Sequence, residues 1–332
     1  NGDKLIFGHA LIGVEFYSIL SGYFLVQSIY RKYTPPKKPK KNNCPNALMQ
    51  SRTPIQPTTS PQLPKLDSTN TTQNVPDYQQ FDCVNVWPHI YIWHKIKNML
   101  PYYIPAFIFC FFMWLYKYID INHPGKWQLL CNCLKAIWEL LFFHSSGVAT
   151  AGINGTWWYI SSMLFIEWLL YPIIACKEKL FVYYIAPLSI FLTLGFMSGT
   201  CGQIANGGFA GFIRIDNLRL LLGICTGCIL FYFVQYFQKI SLRIWVRLIL
   251  TFIELSGYLL IFVIAYKNVN GISNYVDLQM DFLTLPILFV SIGITASKQD
   301  LIWELYNPQV CKFLGKLSLC LYLVHWRCLD VV

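Results

Sequence analysis

Charge is what this chain has least of. Only 13% of its 332 residues are charged, and just 16 are Asp or Glu. Soluble domains carry roughly 25% charged residues, so too little polar surface is left to coat a water-soluble fold. A soluble multi-domain protein is excluded on that ground. Metal spacing is lacking as well. Twelve Cys are scattered, most within apolar runs. Cys225 and Cys228 form a CxxC with no second pair, which argues against zinc or redox chemistry. The thiols read instead as small buried hydrophobes. A phosphate loop is missing too: GGFAGF (207–212) has glycines but no Lys or Ser/Thr to follow them. It reads as a flexible connection outside the membrane. No internal repeat is visible.

What is present is apolar: 55% hydrophobic and 17% aromatic residues. Runs near the roughly 20 residues that a spanning helix needs recur at Leu5–Tyr30, Met99–Ile119, Trp157–Cys176, Leu180–Met197, Asp216–Phe237, Ile244–Tyr266, Phe282–Ser297 and Phe313–Val332. The expected fold is an all-α polytopic membrane protein of about eight to ten helices. A shorter run, Trp127–Phe143, carries Lys135 and Glu139 at i, i+4, a pair suited to a helix with one wet face. It can lie in the interface, re-enter, or cross against partners. Residues 34–86 differ: rich in Pro, Thr, Asn, Gln and Lys, they predict a disordered cytoplasmic insertion between a first helix (1–33) and the main bundle (87–332).

The net charge of +10 does not imply nucleic acid, because ten of the 26 Lys and Arg lie between Arg31 and Lys97. That clustering fits a cytoplasmic loop facing anionic headgroups. If Trp127–Phe143 does not cross, 18 Lys and Arg fall on that side and 8 elsewhere. If it crosses, every later loop changes sides and the bias weakens. The first residue is Asn1 and the chain stops within a helix-like run at Val332, so a piece cut at both ends is expected.

Polar residues inside the apolar runs are the candidates for function, since intramembrane charge is costly. From Leu5 to Tyr30 the only formally charged side chain is Glu15. Glu15, Ser18 and Gly22 share one helix face and predict a stripe turned to the bundle interior and a wet cavity, with Arg219 as partner to Glu15. Ser318, Tyr322 and His325 form a second stripe, read either as a functional His or as a core His fixing helix packing.

Four segments, GVEFYSILSGYFLVQSIYRKY (13–33), WHKIKNMLPYYIPAF (93–107), NGTWWYISSMLFIEWLLYP (154–172) and FLGKLSLCLYLVHW (313–326), together resemble the membrane-integral acyltransferase-3 family. The resemblance implies an acyltransferase of non-aminoacyl groups in a bundle of about ten helices. It would carry acetyl or another acyl group from cytoplasmic acyl-CoA to a hydroxyl of a cell-surface polysaccharide or other glycan. Acyl-CoA is then a co-substrate, with no tightly bound cofactor and no metal. The bilayer and a glycan are the partners, not nucleic acid, and a multi-pass place in the plasma membrane is expected.

The family's basic residues before the "ILP" Pro map onto Lys95, with Lys97 adjacent and Asn98 at the second position. Together with Arg31 and Lys32 they are expected to meet the CoA phosphates, or else to be ordinary positive-inside residues. The family's catalytic His lies upstream of the first motif, so it is expected to precede this chain; His9 is a weaker substitute. Among residues present, Glu15, Tyr322 and His325 are the expected catalytic group. Glu15 can equally be a network residue. Trp157, Trp158 and Ser161 are expected at the substrate, although a Trp near a helix start also reads as an interface anchor. Where relatives carry Glu in "WSLSVE" this chain has Met163, and Glu167, one turn on, is expected to reach the same space with Arg219. Asn154-Gly-Thr also matches a glycosylation sequon, which the family motif explains better. A transporter using Glu15, Arg219 and His325 as a relay, or an inactive relative, are the alternatives.

Overall fold

The computed structural model describes residues 12–33, 87–144, 152–200, 209–210, 213–267 and 274–329. The insertion 34–86, His9, residues 207–208 and 211–212, and any His preceding the chain lie outside the described residues. The helices are α1 (Ile12–Tyr33), α2 (Pro88–Asn122), α3 (Lys126–Leu140), α4 (Trp158–Cys176), α5 (Glu178–Leu180), α6 (Ala186–Thr200), α7 (Ile215–Phe237), α8 (Ile244–Lys267), α9 (Asn274–Ser297) and α10 (Pro308–Leu329). A π turn, Phe181–Ile185, joins α5 to α6, and a 3-10 turn, Ile302–Leu305, precedes α10. Phe209–Ala210 pairs antiparallel with Ile213–Arg214 just before α7. Among the described residues, five helices are long and apolar enough to cross a membrane. Large apolar side chains such as Phe191 on α6 and Trp245 and Phe252 on α8 stand exposed, as expected where the surrounding solvent is lipid.

The bundle is organised around α7, which packs on α1, α4, α6 and α9. Its tightest neighbour is α1, and small residues are the reason. A Cβ added at Gly227 would lie 2.8 Å from the Ile19 carbonyl carbon and 2.9 Å from the Tyr23 nitrogen. Without hydrocarbon to squeeze them together, membrane helices gain from such close backbone approach.

Side-chain pairs give the direction of each helix. Glu15 meets Arg219 and Tyr30 meets Tyr232, so α1 and α7 run parallel. Ser21 meets Tyr159 and Tyr30 meets Glu178, so α4 runs with them. Tyr91 meets Tyr171 and Tyr103 meets Trp157, so α2 runs against α4. Asn132 meets Tyr118 and Tyr103 reaches the Glu139 carbonyl, so α3 also runs against α2. Therefore α3 and α4 point the same way and make one pass between them. The 15 residues of α3 give a rise of about 22 Å, short of the roughly 30 Å hydrocarbon core. The 35 residues of α2 give about 52 Å, and α3 packs along its outer part. The described residues traverse the bundle eight times, and 12 of the 18 cations lie among them, at one end of the bundle. Glu139 departs from expectation. It is buried, not on a wet face, and its carboxylate receives the backbone N–H groups of Gly152 and Ile153.

Candidate active site

Two buried ion pairs lie at different depths. Toward the outer end, Arg219 Nη2 sits 2.5 Å from Glu15 Oε1, with both side chains almost fully buried. The guanidinium lies over the Trp158 ring at 5.9 Å, a cation–π contact of order 1–2 kcal/mol when desolvated. Glu15 can thus sit inside an apolar bundle because its charge is neutralised across α1 and α7. Its second oxygen, Oε2, has no hydrogen-bond partner among the described residues. The rest of the α1 stripe is drier than predicted. Ser18 and Gly22 pack against the α7 backbone at Gly223 and Ile224, and Ser18 bonds its own helix at the Glu15 carbonyl. They serve the helix contact.

Around this pair stands an aromatic cluster. The Tyr322 ring lies 6.1 Å from Tyr17 and 5.8 Å from Tyr159. Tyr17 meets Ser318, and Tyr159 is 3.1 Å from Ser21. Tyr322 donates to the Thr156 carbonyl at 2.6 Å. The Ser318–Tyr322–His325 stripe of α10 therefore reaches α1 and the start of α4. His325 Nδ1 lies 2.8 Å from the Tyr322 carbonyl. A carbonyl only accepts, so this contact fits a proton on Nδ1, and in the neutral tautomer that bears it the lone pair is on Nε2.

Nearby, Arg214 pairs with Asp216 at 2.6 Å and donates to the His144 carbonyl. Burial, and then the Arg214 charge, push the His144 imidazole down to about 4.

Three sequence-derived assignments change. Trp157 is no open sugar platform: it is 2% exposed, stacks on Phe107 at 5.4 Å, and donates its Nε1 hydrogen to the Leu323 carbonyl at 3.2 Å. Packing against α2 and α10 has claimed both its face and its N–H. Trp158, only half-buried, faces Arg219 instead. Glu167 is also not at the outer mouth. It is fully buried toward the basic end, with Lys95 Nζ at 2.5 Å and the Tyr91 hydroxyl at 3.3 Å. Lys95 in turn is committed to that carboxylate. A lysine that compensates a buried charge is not an open phosphate ligand. Arg31, Lys32 and Lys97 are exposed at the same end, with Lys97 over the Trp93 ring at 5.3 Å. Ser161 is buried within α4. Met163, in the place of the family's Glu, takes a hydrogen bond from Ser21 at 3.2 Å.

Several residues were not singled out by sequence. Tyr17, Tyr91 and Tyr159 each look like ordinary members of an aromatic helix until the partner helix is known. Asn154 was noticed only as a sequon. It is fully buried, its Nδ2 donates to the Leu323 carbonyl at 2.7 Å, and its Oδ1 accepts from the Thr156 N–H at 3.1 Å. No glycan fits there. No cluster of metal-ligating side chains occurs among the described residues.

A family model described as an acyltransferase domain, acyltransferase-3, matches residues 90–329, which hold α2 to α10. No curated protein and no solved structure gave a match. With this match over most of its length, and a bundle of apolar helices around it, the chain belongs to the acyltransferase-3 family and is a multi-pass membrane acyltransferase.

Proposed function

We propose that this acyltransferase moves an acyl group, acetyl in the simplest case, from cytoplasmic acyl-CoA to a hydroxyl of a cell-surface glycan at the plasma membrane. His325 Nε2 takes the proton of the acceptor hydroxyl. The oxygen attacks the thioester carbonyl, the C–S bond breaks, and the departing thiolate recovers the proton. Arg219, held by Glu15, supplies positive charge near the oxyanion of the tetrahedral intermediate. Trp158 offers a ring face to the sugar, and Arg31, Lys32 and Lys97 form the cationic rim for the CoA phosphates.

The observation that carries this reading is the His325 Nδ1 contact with the Tyr322 carbonyl at 2.8 Å: with the proton on that nitrogen, the neutral ring presents Nε2 as the base. Transfer of radiolabelled acetyl from acetyl-CoA to a membrane glycan fraction tests it. His325→Ala is expected to lower kcat by about 10²–10⁴-fold, the span of general base catalysis. Arg31→Ala and Lys97→Ala are expected to raise the KM for acetyl-CoA while leaving kcat nearly unchanged. Full turnover in His325→Ala overturns the assignment of the base.

A further inference from the structure

The dipeptide Gly152–Ile153 is held from both sides by opposite charges. Its two N–H groups point at the Glu139 carboxylate, at 2.6 Å from Gly152 and 3.1 Å from Ile153. Its two carbonyls accept from the Arg327 guanidinium, at 2.5 Å for Gly152 and also at Ile153. The peptide group that joins Gly152 to Ile153 thus gives its N–H to Glu139 and its carbonyl to Arg327. Both charges polarise that one peptide in the same sense, so its two hydrogen bonds strengthen one another. The φ of Gly152 is +69°, a conformation that favours glycine.

This grip falls at one place on α10. Arg327 is two residues beyond His325. On the other side, Tyr322 is tied to the Thr156 carbonyl, and the Leu323 carbonyl takes Asn154 Nδ2 and Trp157 Nε1. The turn 152–157 therefore holds the last part of α10 before and after the imidazole. The turn itself is fastened to α3 through Glu139, a buried carboxylate that would be costly without those donors.

We propose that Glu139 and Arg327 are positioning residues for His325, acting as one unit through Gly152–Ile153. This rests on His325 being the base. They touch no reacting atom; they fix where Nε2 points. A misplacement of about 1 Å in a catalytic group costs on the order of 10²-fold.

The test is a double-mutant cycle on the full chain in membranes, read as kcat and as KM for acetyl-CoA. Glu139→Ala and Arg327→Ala are each expected to lower kcat by about 10²-fold, with KM for acetyl-CoA unchanged. The double variant is expected to fall no further than the worse single, because either change releases the same turn. Glu139→Gln is expected to recover part of the loss, since its amide oxygen still accepts from Gly152 or Ile153. If Glu139→Ala does not fold, Glu139→Gln with Arg327→Lys forms the cycle. Losses that multiply in the double variant, or a KM that rises as kcat falls, overturn the proposal. The two readings fail separately: an active His325→Ala removes the base, whereas an inactive His325→Ala beside a fully active Glu139→Ala removes only the positioning unit.

Discussion

Lys95 and Glu167 are unequal partners, and the inequality can be measured. Glu167 is fully buried, while the Lys95 side chain is 23% exposed. Lys95→Met keeps the packing volume but strands the carboxylate. Among the described residues, the Tyr91 hydroxyl at 3.3 Å is then its remaining donor. Breaking a buried pair in this way costs about 3–5 kcal/mol. Glu167→Gln leaves a different problem. The ammonium can swing toward the wet edge on its flexible stem, and a poorly bonded amide costs about 1–3 kcal/mol. Lys95→Met is therefore the more damaging change. The double change Lys95→Met with Glu167→Met removes both charges and is expected to return close to wild-type stability. Denaturant unfolding in detergent micelles gives the order, and the KM for acetyl-CoA separates stability from binding. With Lys95 committed to Glu167, the double variant is expected to keep its KM for acetyl-CoA. Equal stability of Lys95→Met and wild type, or a double variant no better than Lys95→Met, refutes the reasoning.

Two further perturbations probe the frame around the site. Gly227→Ala sets a methyl against the α1 backbone near Ile19 and Tyr23, so α1 must move off α7. The expected loss is about 1–3 kcal/mol from overpacking together with lower transfer activity, because Glu15 and Arg219 share that interface; an unaltered thermal transition in micelles would contradict it. His144 is held neutral well below its usual 6.5, at about 4, so between these values the unfolded chain binds a proton that the folded chain does not. Stability is expected to fall as pH drops from about 6.5 toward 4, and His144→Gln should flatten that part of the curve. A curve of the same shape in the variant would show that another group is responsible.

Apolar runs located the spanning helices, because a spanning segment must satisfy its backbone internally, but not all their starts: α2 and α9 begin at Pro88 and Asn274, in more polar sequence ahead of the expected Met99 and Phe282. The Glu15–Arg219 pair was legible for a related reason. Two isolated charges in two apolar runs have few ways to be tolerated other than meeting each other. The roles of Trp157 and Trp158 were not legible. Adjacent residues on a helix point about 100° apart, and nothing in the sequence says which direction is the core. The same holds for Lys95 and Glu167. Each was assigned to a different ligand, and only the antiparallel course of α2 and α4 brings them together.

Glu139 shows how a sequence argument can read the right residues and reach the wrong face. A Lys–Glu pair at i, i+4 on a 15-residue helix fits an amphipathic segment with its charges in water. That reading assumes that water is the best partner available. Here Phe142, just after α3, has a φ of +63°, and the peptide N–H groups of Gly152 and Ile153 meet the carboxylate at the end of the same helix. Buried N–H groups need an acceptor as much as a carboxylate needs donors. Each satisfies the other, and the charge moves inside. At the same place a segment too short to cross ends against the bundle where α4 begins, and the two together make a single pass. The burial of Glu139 and the placing of His325 thus meet at the junction where α4 takes over the pass that α3 begins.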